Sequence, residues 1–107
     1  MKQKLYLPGP ALKALQKLGS DICDARRRRR ITMALLAERA GITADTLKQI
    51  EKGNPATSMG GYATVLFSLG MSDRLRDIAD ASHDLTGLRL DEENLPRRIR
   101  MRKRDQP

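Results

Sequence analysis

Apolar residues recur three and four positions apart along most of the chain, the spacing of one face of an α-helix. The first such run is Ala11, Leu12, Ala14, Leu15, Leu18, Ile22 and Ala25. It follows Pro8-Gly9-Pro10, and a proline suits a helix's first turn, so a helix is predicted to begin near Pro10. Gly19-Ser20-Asp21 interrupts the run. Ser20 can cap a new helix reaching about Arg29, so one long helix and two short ones both fit. Thr32 is a good N-cap for a helix over Met33 to Ala40, which Gly41 would close in the left-handed conformation. Thr43 caps the next, to Lys52, with Gly53 as its stop and Asn54-Pro55 as a turn. Ser58 or the residues just after it start a fourth helix, with Tyr62, Val65, Leu66 and Leu69 on one face, ended by Gly70. Ser72 caps a fifth, from Asp73 to about Ala81, carrying Leu75 and Ile78. Beyond it the periodicity dissolves: Leu85, Leu88 and Leu90 are interrupted by Gly87, and Leu88-Arg89-Leu90 reads as one short strand or as irregular chain.

The pattern is therefore all-α, and 107 residues suffice for one domain with a modest core. Aromatic residues are only 3% of the chain and tryptophan is absent. The core must come from Leu, Ile, Ala, Val and Met, which suits packed helices. A single cysteine, Cys23, excludes an intrachain disulfide and fits a reducing compartment. No stretch approaches the roughly 18 apolar residues of a membrane span. The charged Met1-Lys2-Gln3-Lys4 is not followed by a signal-peptide apolar core, and a cytoplasmic location is expected. The net charge of +8 changes the picture most. It attracts polyanions, nucleic acid first and an anionic membrane surface second.

Candidate chemistry concentrates between Ile22 and Gly53. Ala40-Gly41-Ile42-Thr43 joins two short helices by the four-residue turn length of a DNA-reading helix-turn-helix. Close approach of the two helices needs a small inward residue, and Ala37 is placed there. The turn needs a positive φ, which Gly41 supplies. Leu36, Ala40, Ile42, Leu47 and Ile50 provide the inward apolar set. Thr43, Ala44, Asp45, Thr46, Lys48 and Gln49 give the second helix a short, polar leading end.

Leu36-Ala37-Glu38-Arg39-Ala40-Gly41-Ile42-Thr43 followed by Thr46-Leu47-Lys48-Gln49-Ile50-Glu51-Lys52-Gly53 resembles the Cro and phage-repressor (XRE) family over roughly residues 19–80. The resemblance implies a five-helix repressor-like helix-turn-helix domain over 19–81, whose third helix reads the major groove of double-stranded operator DNA. An arm and helical extension would occupy 1–18, and an extended, partly disordered basic tail 82–107. It places Arg26 where the family pairs an arginine with a glutamate, here Glu51. Thr32 and Met33 fall at phosphate-contacting positions, although many members carry glutamine where Met33 stands, and methionine cannot make that hydrogen bond. Ala44, Asp45 and Gln49 fall at base-facing positions: Ala44 against a thymine methyl, Asp45 toward cytosine N4, Gln49 toward adenine N6 and N7. Asp45 is equally well read as an acid favoured by the helix dipole. Thr43, Thr46, Lys48, Lys52 and Asn54 would contact the DNA backbone, positioning without specifying.

The family dimerises around its fifth helix and beyond, which makes Met71, Leu75, Ile78 and Leu85 candidate contacts of a homodimer. The other reading of these residues is that they close the monomer's own core. Tyr62-Ala63-Thr64-Val65-Leu66-Phe67-Ser68-Leu69-Gly70 and Leu95-Pro96-Arg97-Arg98-Ile99-Arg100 look like HipB-type antitoxins. That narrower resemblance implies a repressor of its own operon that also neutralises a HipA-like serine/threonine kinase toxin, though other HipB-type proteins often have a short intersubunit strand where this chain has its basic tail. A stand-alone repressor without a toxin partner, and a non-specific binder of nucleic acid or anionic surfaces, are the alternatives.

The arginines at 26–30 would point all round a helix and cannot form one face; the stem of Arg29 can lie along the core. The basic block at 97–104 can track phosphates, stay solvated or dock an acidic partner. His83 is a lone histidine without a metal-spaced partner, and Asp91-Glu92-Glu93 reads as a solvated acidic patch. No nucleophile, acid–base pair or phosphate-cradling loop is legible, so no enzyme activity and no cofactor are expected.

Overall fold

The structure, a computed structural model, describes the backbone of residues 6–101 and the side chains of residues 6–94. All its regular elements are helical: α1 (Gly9–Arg28), α2 (Met33–Ala40), α3 (Ala44–Glu51), α4 (Met59–Ser68), α5 (Ser72–Arg76), a 3₁₀ turn (Ala81–His83) and α6 (Leu85–Met101). The chain divides into two compact units, Met1–Leu75 and Arg76–Pro107.

In the first unit, side-chain caps start three helices. Thr32 Oγ1 accepts from the Leu35 N–H, Thr43 Oγ1 from the Thr46 N–H, and Ser58 Oγ from the Gly61 N–H, each at 3.1 Å. Each cap satisfies one of the N–H groups that a first turn leaves without a partner. The helices close on one core of Ile22 and Ala25 from α1, Leu36, Ala37 and Ala40 from α2, Leu47 and Ile50 from α3, and Tyr62, Val65, Leu66 and Leu69 from α4 and its cap. α3 packs against α1, α2 and α4, and only its outer face is left for other work.

α1 is one unbroken helix of 20 residues, so Ser20 is a mid-helix residue and caps nothing. Gly19 serves packing. A Cβ there would lie 2.5 Å from the Ile50 carbonyl oxygen and 2.7 Å from both the Glu51 oxygen and the Gly53 nitrogen. α1 therefore crosses the end of α3 backbone to backbone. Gly53 meets the same crossing from the other side, and its φ of +75° closes α3 in a conformation that side chains resist.

The end of α1 is less regular. Arg30 takes a φ of +56°, the left-handed position after a helix that glycine usually fills. The Arg30 N–H donates to Arg27 O at 2.9 Å and the Ile31 N–H to Arg26 O at 3.4 Å, closing a Schellman turn. Ile31 then packs on the core.

Two expectations need correction. The fifth helix stops at Arg76 and does not reach Ala81. The segment read as a strand or irregular chain around Leu88, within a tail expected to be extended, is the helix α6. Asp84 starts it: its Oδ1 accepts from the Gly87 N–H at 3.0 Å and its carbonyl from the Leu88 N–H at 2.9 Å. Gly87 thus sits in the first turn, where it interrupts nothing. The side chains of the basic block at 97–104 lie outside the described residues, as do residues 102–107 altogether. Of the candidate dimer contacts, Met71 and Leu75 are half-buried against the first unit's core, whereas Ile78 and Leu85 are largely exposed.

Gly19→Ala must push two helices apart against backbone atoms that cannot yield, and is expected to cost about 3 kcal/mol, lowering Tm by roughly 15 °C. Gly9→Ala, with open space around the added methyl, is its control and should leave Tm within a few degrees. Arg30→Gly relieves a left-handed arginine. It should raise stability by about 0.5–1 kcal/mol in chemical denaturation.

Candidate nucleic-acid interface

The α2–α3 connection is short and fully bonded. Gly41 turns the chain at φ +72°, and the Ile42 N–H donates to Ala37 O at 3.0 Å. Ile42 packs against the core. Thr43 is extended and caps α3, and its hydroxyl also donates to Thr46 Oγ1 at 2.9 Å. With Leu47 and Ile50 fully buried, the 100° step of a helix puts Asp45, Lys48, Gln49 and Lys52 on the opposite face. Asp45, Lys48 and Lys52 are exposed, as are Thr43 and Ala44 at the leading end; Thr46 and Gln49 are half-buried. The candidate base-facing residues Ala44, Asp45 and Gln49 and the lysines therefore occupy the outer side of one element.

Other candidates are placed differently. Thr32 stands exposed at the start of α2, with its side-chain oxygen accepting from the Leu35 N–H. Met33 is partly buried against the core, so its side chain works inward. Asn54 is committed inside its own loop. Its Nδ2 donates to Gln49 Oε1 at 3.0 Å and its Oδ1 accepts from the Ala56 N–H at 2.8 Å. Its N–H donates to the Gln49 carbonyl at 3.0 Å, and its own carbonyl accepts from the Tyr62 hydroxyl at 2.9 Å. Tyr62 is buried in the core, and burial raises its phenol pKa above the ordinary value. No periodicity signals this network, because it joins three elements through a loop residue.

Arg26 and Glu51 hold α3 from behind. Arg26 Nε donates to Glu51 Oε2 at 2.8 Å and Nη2 to Oε1 at 3.2 Å, while Nη1 donates to the Ile31 carbonyl at 3.1 Å. Nη2 also lies 3.7 Å from Cys23 Sγ. The two side chains are only 11% and 8% exposed, so this fork-shaped pair is removed from water and from salt screening. The Glu51 hydrogen bond, outweighing burial, holds the Arg26 guanidinium above its already high ordinary pKa, and the cation is fixed across the whole accessible pH range. Arg29 folds back over the end of α1: Nη1 donates to Ala25 O at 2.9 Å and Nη2 to Leu69 O at 3.0 Å, closing the C-terminal end of α4. Arg29 stays exposed all the same, as do Arg27, Arg28 and Arg30.

Among the described residues, no group of three or more His, Cys, Asp or Glu side chains could hold a metal ion, and no helix is long and apolar enough to cross a membrane. His83 sits exposed in the 3₁₀ turn. No family model, curated protein or solved structure matches the chain.

Glu51→Ala strands the Arg26 cation in a nearly closed site and should cost about 3 kcal/mol in urea denaturation. The double variant Arg26→Met/Glu51→Leu should recover most of that loss, because it removes the charge together with its partner. A loss below about 0.5 kcal/mol for Glu51→Ala would make the pair an ordinary solvated one.

Proposed function

We propose that this chain is a sequence-specific, double-stranded-DNA-binding transcriptional repressor of the helix-turn-helix class, acting as a homodimer. α2 and α3 form the motif, and α3 lies in the major groove. The observation that carries the reading is the outer face of α3. Short polar side chains and two lysines stand there on a helix whose other faces are held by α1, α2 and α4. Such a helix can enter a groove as a rigid unit, and rigid presentation lets a few hydrogen bonds discriminate between base pairs.

The roles divide along that face. Ala44, Asp45 and Gln49 meet base edges. Thr43, Thr46, Lys48 and Lys52 meet the sugar-phosphate backbone, together with Thr32 at the start of α2, where helix N–H groups add to the attraction. The net charge of +8 supports the electrostatic part of binding, which weakens steeply with salt. A homodimer doubles these contacts and places two copies of α3 about one DNA turn apart, ~34 Å. The HipB-type likeness extends the proposal to an antitoxin that also binds a HipA-like serine/threonine kinase; this chain has α6 where such proteins often have an intersubunit strand.

The test is duplex binding at ~150 mM salt, using the DNA upstream of the protein's own reading frame against scrambled duplex. A preference of about 10³ or more is expected. Equal affinity for both would reduce the protein to a non-specific polyanion binder. Gln49→Ala should cost about 1–3 kcal/mol at one base position; a uniform loss over all sequences would remove Gln49 from base reading. Co-purification with the product of a neighbouring kinase-like reading frame is expected of an antitoxin and not of a stand-alone repressor.

A further inference from the structure

The Gln49 carboxamide is held at one end, and the hydrogen-bond geometry says which. The Ala56 N–H can only donate, so the side-chain atom of Asn54 that it meets at 2.8 Å must be the oxygen. The Asn54 NH₂ group is thereby turned the other way, toward Gln49. A donor there needs an acceptor, so the atom of Gln49 facing it at 3.0 Å is Oε1. The Gln49 NH₂ then occupies the other end of the planar carboxamide, away from Asn54. Neither partner swings freely. The backbone of Asn54 is pinned on both sides, by its N–H to the Gln49 carbonyl and by the buried Tyr62 hydroxyl to its own carbonyl.

We infer that Asn54 is a positioning residue that fixes the donor end of Gln49 outward, so that Gln49 reads the acceptor edge of a purine, the O6 and N7 of guanine. The inference rests on the proposal that α3 reads DNA. Adenine recognition by glutamine needs both ends of the carboxamide on one base edge, the oxygen taking the N6 proton and the NH₂ donating to N7. Oε1 already accepts from Asn54, so only its second lone pair is left for the N6 proton, and the oxygen would have to face Asn54 and the base edge at once. Guanine offers two adjacent acceptors in the major groove, and an outward NH₂ has two protons to give. The fixed orientation comes from the core through Tyr62 and the loop through Ala56, so it is set before DNA arrives.

Selection of binding sites from a random duplex pool tests this directly. For the wild-type protein, the position whose preference disappears in Gln49→Ala should be guanine, and 7-deazaguanine there should weaken binding about fivefold or more. Asn54→Asp keeps the acceptor for the Ala56 N–H and replaces the donor facing Gln49 with a second acceptor. The Gln49 carboxamide should then turn over, and preference at that one position should move to adenine or cytosine, the bases with an exocyclic amino donor. Asn54→Ala should leave less than about a twofold preference at that position. Thermal melts and circular dichroism of each variant establish that it is folded. In the free protein, NMR should show an Asn54 side-chain NH₂ protected from exchange, with that protection lost in Gln49→Ala. An adenine at the mapped position, a guanine preference that survives Asn54→Asp, or an unprotected Asn54 NH₂ would each overturn the inference. A pool that yields no enriched sequence, with the NH₂ protected, would overturn the DNA-reading role itself and this inference with it.

Discussion

The Arg26 guanidinium is the tie on which the rest of the first unit depends. It sits on the last turn of α1, yet its hydrogen bonds end on the Glu51 carboxylate at the close of α3 and on the Ile31 carbonyl in the turn before α2. Three segments distant in sequence or direction are thus referred to one planar group. A lysine could not replace it, because an ammonium cannot make the parallel two-point contact with a carboxylate. The pair lies nearly out of water, so leaving either member alone is costly, and the register of α1 against α3 is correspondingly well specified.

That register also explains the glycines. Once α1 is drawn onto the end of α3, the two backbones approach too closely for a Cβ on either side, and Gly19 and Gly53 occupy the crossing. A glycine inside a helix costs roughly 1 kcal/mol relative to alanine, and the close packing it permits outweighs that cost. α4 completes the support from the other side, with Val65 and Leu66 in the core and the Tyr62 hydroxyl reaching the loop after α3. α3 is therefore joined to the interior by a close backbone crossing, a buried ion pair and a hydrogen-bonded loop, each acting at a different point along the helix.

Charge is distributed unevenly between structure and surface. Of the five arginines at 26–30, Arg26 and Arg29 have their guanidinium groups bonded to backbone or carboxylate oxygens inside the first unit. Arg27, Arg28, Arg29 and Arg30 are all exposed, Arg29 with its guanidinium folded back onto the Ala25 and Leu69 carbonyls. A run that looks like one basic patch in the sequence is thus divided between holding helices together and contributing to the surface potential. Net charge is a property of the whole chain; which charges can meet a partner depends on where the helix directs them.

What the sequence determined by itself is what short-range chemistry controls. Thr32, Thr43 and Ser58 could be named as helix starts because a cap hydroxyl bonds a backbone N–H only three residues on. Gly41 could be named as a turn because its positive φ is a local demand. The inward sets of α2, α3 and α4 followed from the helical period. Only the tertiary structure decided the rest. Gly19 lies inside a continuous α1 and serves the crossing with the end of α3, a contact that no local pattern announces. The left-handed Arg30 is tolerated where Ile31 docks on the core and Arg26 grips the Ile31 carbonyl. α6 escaped the periodic reading because Gly87 looked like a breaker until Asp84 was seen to cap the turn containing it. The orientation of Gln49 was illegible for a similar reason. It is set by Asn54, Ala56 and Tyr62 acting together, and a hydrogen-bond network that closes through space leaves no period in the sequence.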